Sequence, residues 1–116
     1  TKECVDASQA YKDALLASSE ADTTVIKRSI GAPARALRSD FTAKILEIER
    51  ETPTYEALKD YISGSANKRF IYDGEKDAGI GWAGQVTGMI HDIPTVDELI
   101  TRMVAEAESI RVKWGH

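Results

Sequence analysis

One β-branched run, Thr23-Thr24-Val25-Ile26-Lys27-Arg28-Ser29, interrupts a chain that otherwise reads as helix. β-Branched side chains favour extended backbone, and polar residues before the run and Gly31 after it bound a strand. A lone strand leaves its N–H and C=O groups unpaired, so it demands a partner. No second β-rich run is present. The chain therefore reads as a piece whose sheet is completed elsewhere. Its 116 residues fit that reading. A complete eight-fold β/α barrel needs about 250, while a fold of this size can bury roughly two thirds of its surface without disulfides. The chain begins at Thr1, not Met, as an excised or cleaved segment would.

The helices are marked by caps and apolar periodicity. Asp6 as N-cap with Gln9, and Val5 packed on Ala10, predict a first helix over Asp6–Ser19. Pro33 is expected to open a helical turn over Ala34–Arg38. A second helix follows over Asp40–Glu51, with Phe41, Ile45 and Ile48 on one face. Pro53 starts a third, carrying Tyr55, Leu58, Tyr61 and Ile62 to Gly64, and Ser65–Asp73 forms a fourth. A short helix over Gln85–Ile90 is weakly signalled. Thr95 and Glu98 box the start of the last helix, where Glu98 and Arg102 stand at the spacing of a favourable ion pair. Its stripe of Val96, Leu99, Ile100, Met103, Val104, Ala107, Ile110 and Trp114 runs to Gly115. The expected fold class is mostly α with one or two short strands.

Charge narrows the functional classes. Fifteen Lys and Arg against nineteen Asp and Glu give a net charge of −4, well mixed along the chain. Binding to nucleic acid or an anionic membrane needs clustered positive charge, so neither partner is expected. No apolar run approaches the roughly 20 residues of a membrane span, and a cytoplasmic protein is expected. The one cysteine, Cys4, excludes an internal disulfide; near a helix N-terminus its thiol could be activated, but a plain small hydrophobe is the simpler reading.

Candidate chemistry is sparse. Gly79-Ile80-Gly81-Trp82-Ala83-Gly84 matches G-x-G-x-x-G in form, but the charged stretch before it, Tyr72 to Asp77, is no strand, so the dinucleotide reading lacks its context. Two other readings stay open: a glycine loop anchored by a buried Trp82 ring, or a loop whose backbone closes over a ligand held elsewhere. His91 beside Asp92 lacks a third group and reads as a solvated turn before Pro94. His116 is terminal and expected to be mobile. Lys27, Arg28, Arg35 and Arg38 lack interleaved aromatics and read as a solvated face. No metal-ligand spacing occurs, and no metal site is expected.

Two ordered blocks of residues carry a resemblance. The first runs from Thr1-Lys2-Glu3-Cys4 through Ala14–Glu20 and Asp22–Val25 to Arg28-Ser29-Ile30-Gly31-Ala32-Pro33-Ala34-Arg35. The second is Asp77–Gly79, Trp82-Ala83-Gly84-Gln85-Val86 and Gly88 to Val96. Together, from Thr1 to about Ile110, they resemble the C-terminal third of the nitronate monooxygenase family, also called 2-nitropropane dioxygenases. These are FMN-dependent oxidoreductases, often described only as NAD(P)H-dependent flavin oxidoreductases.

The resemblance implies an FMN-binding TIM-type β/α barrel with a small helical domain inserted late. Residues 1–22 would form a barrel-exit helix, 23–78 the inserted domain, and 79–116 a return loop and closing barrel helix. The phosphate-cradling glycines and the catalytic histidine of the family lie upstream, so no catalytic residue is expected in this segment, and His91 is not that base. FMN belongs to the parent and none is expected on the segment alone. Trp82, Ala83, Gly84 and Gln85 match the stretch that returns to the barrel mouth near flavin and substrate; Ala83 stands where members often carry a small hydroxyl residue. The implied partners are the rest of the barrel and a nitronate substrate. The segment alone would be inactive and prone to self-association. Two other readings remain: a segment of a flavin-dependent enoyl-thioester reductase, which shares the barrel architecture, and a free-standing helical interaction or oligomerisation module.

Overall fold

The computed structural model describes residues 1–115. They form seven regular elements: helix α1 (Gln9–Ala17), strands β1 (Thr23–Ile26) and β2 (Ala34–Leu37), and helices α2 (Asp40–Glu51), α3 (Tyr55–Ile62), α4 (Gly64–Ile71) and α5 (Val96–Lys113). Three short 3-10 turns, Arg28–Ile30, Lys76–Ala78 and Gln85–Met89, lie between them. The chain is mostly helical with two short strands, as expected, but the two strands pair with each other in one sheet. It divides into two compact units: Asp6–His91, and Thr1–Val5 together with the chain from Asp92 onward.

Within the larger unit, the strand expected to lack a partner has one. β1 pairs antiparallel with β2, Thr23 opposite Leu37 and Ile26 opposite Ala34. Ala34–Leu37, expected as a helical turn, is therefore a strand. Two left-handed residues, Lys27 at φ 63° and Gly31 at φ 71°, bracket the reversal between the strands. Ala-Arg-Ala-Leu has poor strand propensity, but Ala36 is fully buried and its small side chain lets the sheet lie against the helices. Tertiary packing decides this element. The strand also ends at Ile26 instead of Ser29, because Lys27 turns out of the extended region.

The core joins Ile26, Ala36, Ile45, Leu58 and Ile80, all fully buried. Phe70 of α4 lies beside it, 1% exposed and edge-on to Tyr11 with ring centroids 5.5 Å apart. α2 starts as expected, capped by a reciprocal Ser39–Thr42 box. α1 starts three residues later than expected. Its cap is Ser8, whose Oγ accepts from the Tyr11 N–H and donates to the Phe70 carbonyl, while the Ser8 N–H donates to the Ile71 carbonyl. One residue thus caps α1 and fastens it to the end of α4, which Asp6 does not do. Thr54 caps α3, leaving Pro53 outside it, and Ser63 both ends α3 and caps α4. The weakly signalled helix appears as the 3-10 turn Gln85–Met89.

In the smaller unit, Lys2 N–H donates to the Pro94 carbonyl and the Glu3 carboxylate accepts from Val96 N–H. The Thr95–Glu98 capping box is present, and α5 runs to a left-handed Gly115. Arg102 pairs with Asp92 at 3.1 Å, not with Glu98, because the flanking carboxylate offers both guanidinium nitrogens an oxygen. The apolar stripe of α5 is exposed: Met103 at 56%, Val104 at 64% and Trp114 at 70%. Among the described residues no helix is long and apolar enough to cross a membrane. The expectation for His116 lies outside the described residues.

Candidate functional site

The loop Gly79–Gln85 leaves the Lys76–Ala78 turn, passes the end of α4 and runs along the far edge of β2. Leu37 N–H donates to the Gly81 carbonyl at 2.8 Å, Trp82 bridges antiparallel to Ala36, and Ala83 N–H donates to the Arg35 carbonyl at 3.4 Å. β2 is thus paired on both edges. The two leading glycines are explained by close approach to α4. A Cβ on Gly79 would stand 2.2 Å from the Ala66 carbonyl oxygen, and one on Gly81 2.4 Å from the Phe70 ring. Their missing side chains admit α4, not a phosphate. These residues do not form a phosphate cradle, so no chemistry of a bound flavin is routed through them. Gly84 differs: a Cβ there meets only Val86, at 3.9 Å.

Of the four residues placed near the site by sequence, Trp82 and Ala83 are half-buried, and Gly84 and Gln85 are exposed. Trp82 packs against the core cluster. Its carbonyl accepts the Tyr11 hydroxyl, and the Lys27 ammonium lies 5.2 Å from the centroid of its ring. The loop therefore has a fastened half, through Ala83, and a free half beginning at Gly84. Trp82 anchors the loop as the first of the two readings expects, although its ring is half-buried and not buried.

Tyr11 and Lys27 escaped sequence reasoning as partners of Trp82. Tyr11 sits on a helix face that looks like ordinary packing. Lys27 reaches Trp82 from a left-handed turn that no residue type announces, since Gly or Asn would be the usual occupant. The turn is held by Glu49, whose Oε2 accepts from Lys27 N–H at 3.0 Å and whose Oε1 accepts from the Ser29 N–H and hydroxyl at 3.0 and 2.8 Å.

The four basic residues near the hairpin do not act together. Arg35 donates to the Thr23 hydroxyl and Arg38 to the Ala21 carbonyl, while Arg28 is exposed beside a groove of about 480 Å³ floored by Val25, Ala43 and Leu46. That groove touches none of Trp82–Gln85. Cys4 is exposed, not packed as a small hydrophobe. His91 is exposed, and the Asp92 carboxylate is engaged by Arg102. Among the described residues no group of three or more His, Cys, Asp or Glu side chains could hold a metal.

Comparison with known proteins supplies the context for this loop. A probable nitronate monooxygenase of Staphylococcus saprophyticus is 30% identical over 104 residues, 90% of this chain and 29% of that protein. A probable nitronate monooxygenase of Staphylococcus aureus strain JH9 is 29% identical over 85 residues, 73% of this chain and 24% of the relative. Among solved structures, FabK from Thermotoga maritima matches with a TM-score of 0.85 and 30% identity, over 94% of this chain and 34% of FabK. Its M276A mutant matches at 0.76 and 26% identity. The chain thus spans about a third or less of the proteins it resembles. The sequence model described as nitronate monooxygenase matches residues 1–106, nearly the whole chain, and the chain belongs to the nitronate monooxygenase family.

Proposed function

We propose that this chain is the C-terminal segment of an FMN-dependent oxidoreductase that oxidises alkyl nitronates with dioxygen. The observation that carries the proposal is the family match over residues 1–106, together with the third or less of each relative that the chain covers. In this reading FMN, bound by the rest of the protein, supplies the electron transfer, and this chain supplies shape. Trp82–Gln85 lies at the barrel mouth on the substrate side. The fastened indole excludes water there, and the open backbone from Gly84 onward lets a ligand approach. Residues 1–22, 23–78 and 79–116 serve as exit helix, inserted domain, and return loop with closing helix. The exposed apolar stripe of α5 supports this, since a helix of the barrel wall buries one broad face against its strands. The partner of this segment is the rest of its own barrel, in the cytoplasm, and the segment alone is inactive.

A second reading keeps the flavin barrel and changes the reaction to NAD(P)H-dependent reduction of an enoyl thioester. The likeness to FabK favours keeping it, because two reactions can share one architecture and differ only in the site. The full-length protein that carries this segment decides between them. Purified with its flavin, it should consume dioxygen when given propane 2-nitronate and show no need for NAD(P)H. Oxidation of NAD(P)H dependent on an enoyl thioester, with no dioxygen uptake on nitronate, would establish the second reading instead.

A further inference from the structure

We propose that Lys27 is a specificity-determining residue that favours an anionic substrate, its ammonium being held at the Trp82 indole to meet the charged oxygens of a nitronate or a similar small acid. The inference rests on the substrate-side reading of Trp82–Gln85 given above.

Three features of Lys27 converge. It is the one non-glycine residue with positive φ among those described, at φ 63° and ψ 22°. That conformation is uphill for any residue with a Cβ, and glycine or asparagine would fill it more easily. Strain of this kind persists only where surrounding structure imposes it. Glu49 imposes it here, taking the Lys27 N–H, the Ser29 N–H and the Ser29 hydroxyl on one carboxylate.

The side chain that leaves this turn ends over Trp82, 5.2 Å from the ring centroid. The Trp82 backbone is held by the Tyr11 hydroxyl on its carbonyl and by β2 from the other side, and its ring packs against the core cluster. Cation and loop are therefore fixed to each other by bonds from α1, α2 and β2. That is more than a turn needs in order to reverse a hairpin.

The third feature is what the ammonium lacks. Among the described residues it makes no hydrogen bond and no salt bridge, and the Glu49 carboxylate is engaged by the Lys27 and Ser29 N–H groups and the Ser29 hydroxyl. A π face balances part of a cation's charge but takes up none of its capacity to meet an oxyanion. A nitronate spreads one negative charge over two oxygens, as a carboxylate does. A compact ammonium beside the indole matches that head, and the indole offers the alkyl part an apolar surface. Such a fixed cation acts on the encounter and binding of an anion more than on the later chemistry.

The test uses the full-length flavoprotein. Lys27→Met keeps the stem over the ring and removes the charge; Lys27→Arg keeps the charge. The Met variant should raise KM for propane 2-nitronate about tenfold, as expected for loss of one charge-assisted contact, with kcat changed less than about twofold. The Arg variant should recover most of that loss. Isobutyrate, a carboxylate of the same shape that cannot be oxidised there, gives a readout apart from turnover. Its dissociation constant for the resting protein should rise about tenfold in Lys27→Met and return in Lys27→Arg. Unchanged KM and isobutyrate affinity in Lys27→Met would overturn the proposal, as would equal loss in Met and Arg, which would make the lysine structural. Trp82→Phe separates this failure from failure of the loop assignment. If it alters KM while Lys27→Met does not, the loop stands and the lysine falls; if neither does, both fall.

Discussion

At the scale of single residues, the glycines of the loop separate most sharply. Gly79 and Gly81 are fixed by α4, and Gly84 is not. Gly79→Ala should therefore destabilise the fold by about 3 kcal/mol, the upper range for overpacking, because the obstructing atom is backbone carbonyl and cannot rotate away. Gly84→Ala should stay within about 0.5 kcal/mol. Urea unfolding of the two variants checks this, and equal midpoints would contradict the packing account. One substitution at Trp82 tests both its packing against the core and the substrate-side place proposed for it. Its ring is half-buried against the core cluster, so Trp82→Ala should cost about 2 kcal/mol, less than a fully buried aromatic. In the full-length protein it should also lower kcat/KM in the fraction that remains folded. A loss of melting temperature with normal turnover would make Trp82 a core residue and nothing more. Sequence pointed to Trp82 through its neighbours in the motif, but not to Tyr11 or Lys27. Their link to Trp82 spans the chain and has no local pattern, and the conformation of Lys27 opposes its residue type.

At the scale of elements, what could be read in advance depended on whether local chemistry or packing decides. α2 and α5 carry their own caps and periodicity, and both begin where Ser39 and Thr95 place them. β2 has neither, and only its fit between β1 and the loop through Trp82 makes it a strand. α1 starts at Ser8 because Ser8 also meets Phe70 and Ile71, contacts that are distant in sequence. The start of α5 should depend on pH in a known direction. The Glu98 carboxyl is held below the usual glutamate range, first by the Thr95 N–H it accepts and then by the charge of Lys2. A lowered folded value means the contribution is present above the ordinary glutamate value and lost as pH falls through the lowered one. Protection of the Thr95 amide against exchange, taken relative to its intrinsic rate, should fall on acidification across that interval. Glu98→Gln keeps an acceptor at the cap but cannot titrate, and should remove the dependence. A wild-type cap insensitive to acid would contradict it. The exposed stripe of α5 gives a second expectation: the 116-residue chain should self-associate, and Ile100→Lys with Val104→Lys should shift it toward monomer by light scattering without loss of helix. Monomeric wild type at high concentration would argue that the stripe needs no cover, and would favour a free-standing module.

At the scale of the whole molecule, this chain spans about a third or less of the proteins it resembles, and the flavin site proposed above falls in the remainder. The fold it forms was legible only in part: mostly helical with few strands, as the composition of its segments implied, but with a sheet closed within the chain. That closure removes one argument for a missing partner and leaves another, the uncovered face of α5. The candidate site was legible only through the family motif, because its glycines match a phosphate loop in spelling while their backbone packs on α4. The central claim is that the flavin is held elsewhere and that this segment shapes the substrate side. Titration of FMN fluorescence with the purified 116-residue chain tests it most directly. No saturable quenching is expected, and the same titration with the full-length apoprotein should saturate. Saturable, micromolar quenching by the 116-residue chain alone would place the cofactor site inside it and contradict the account.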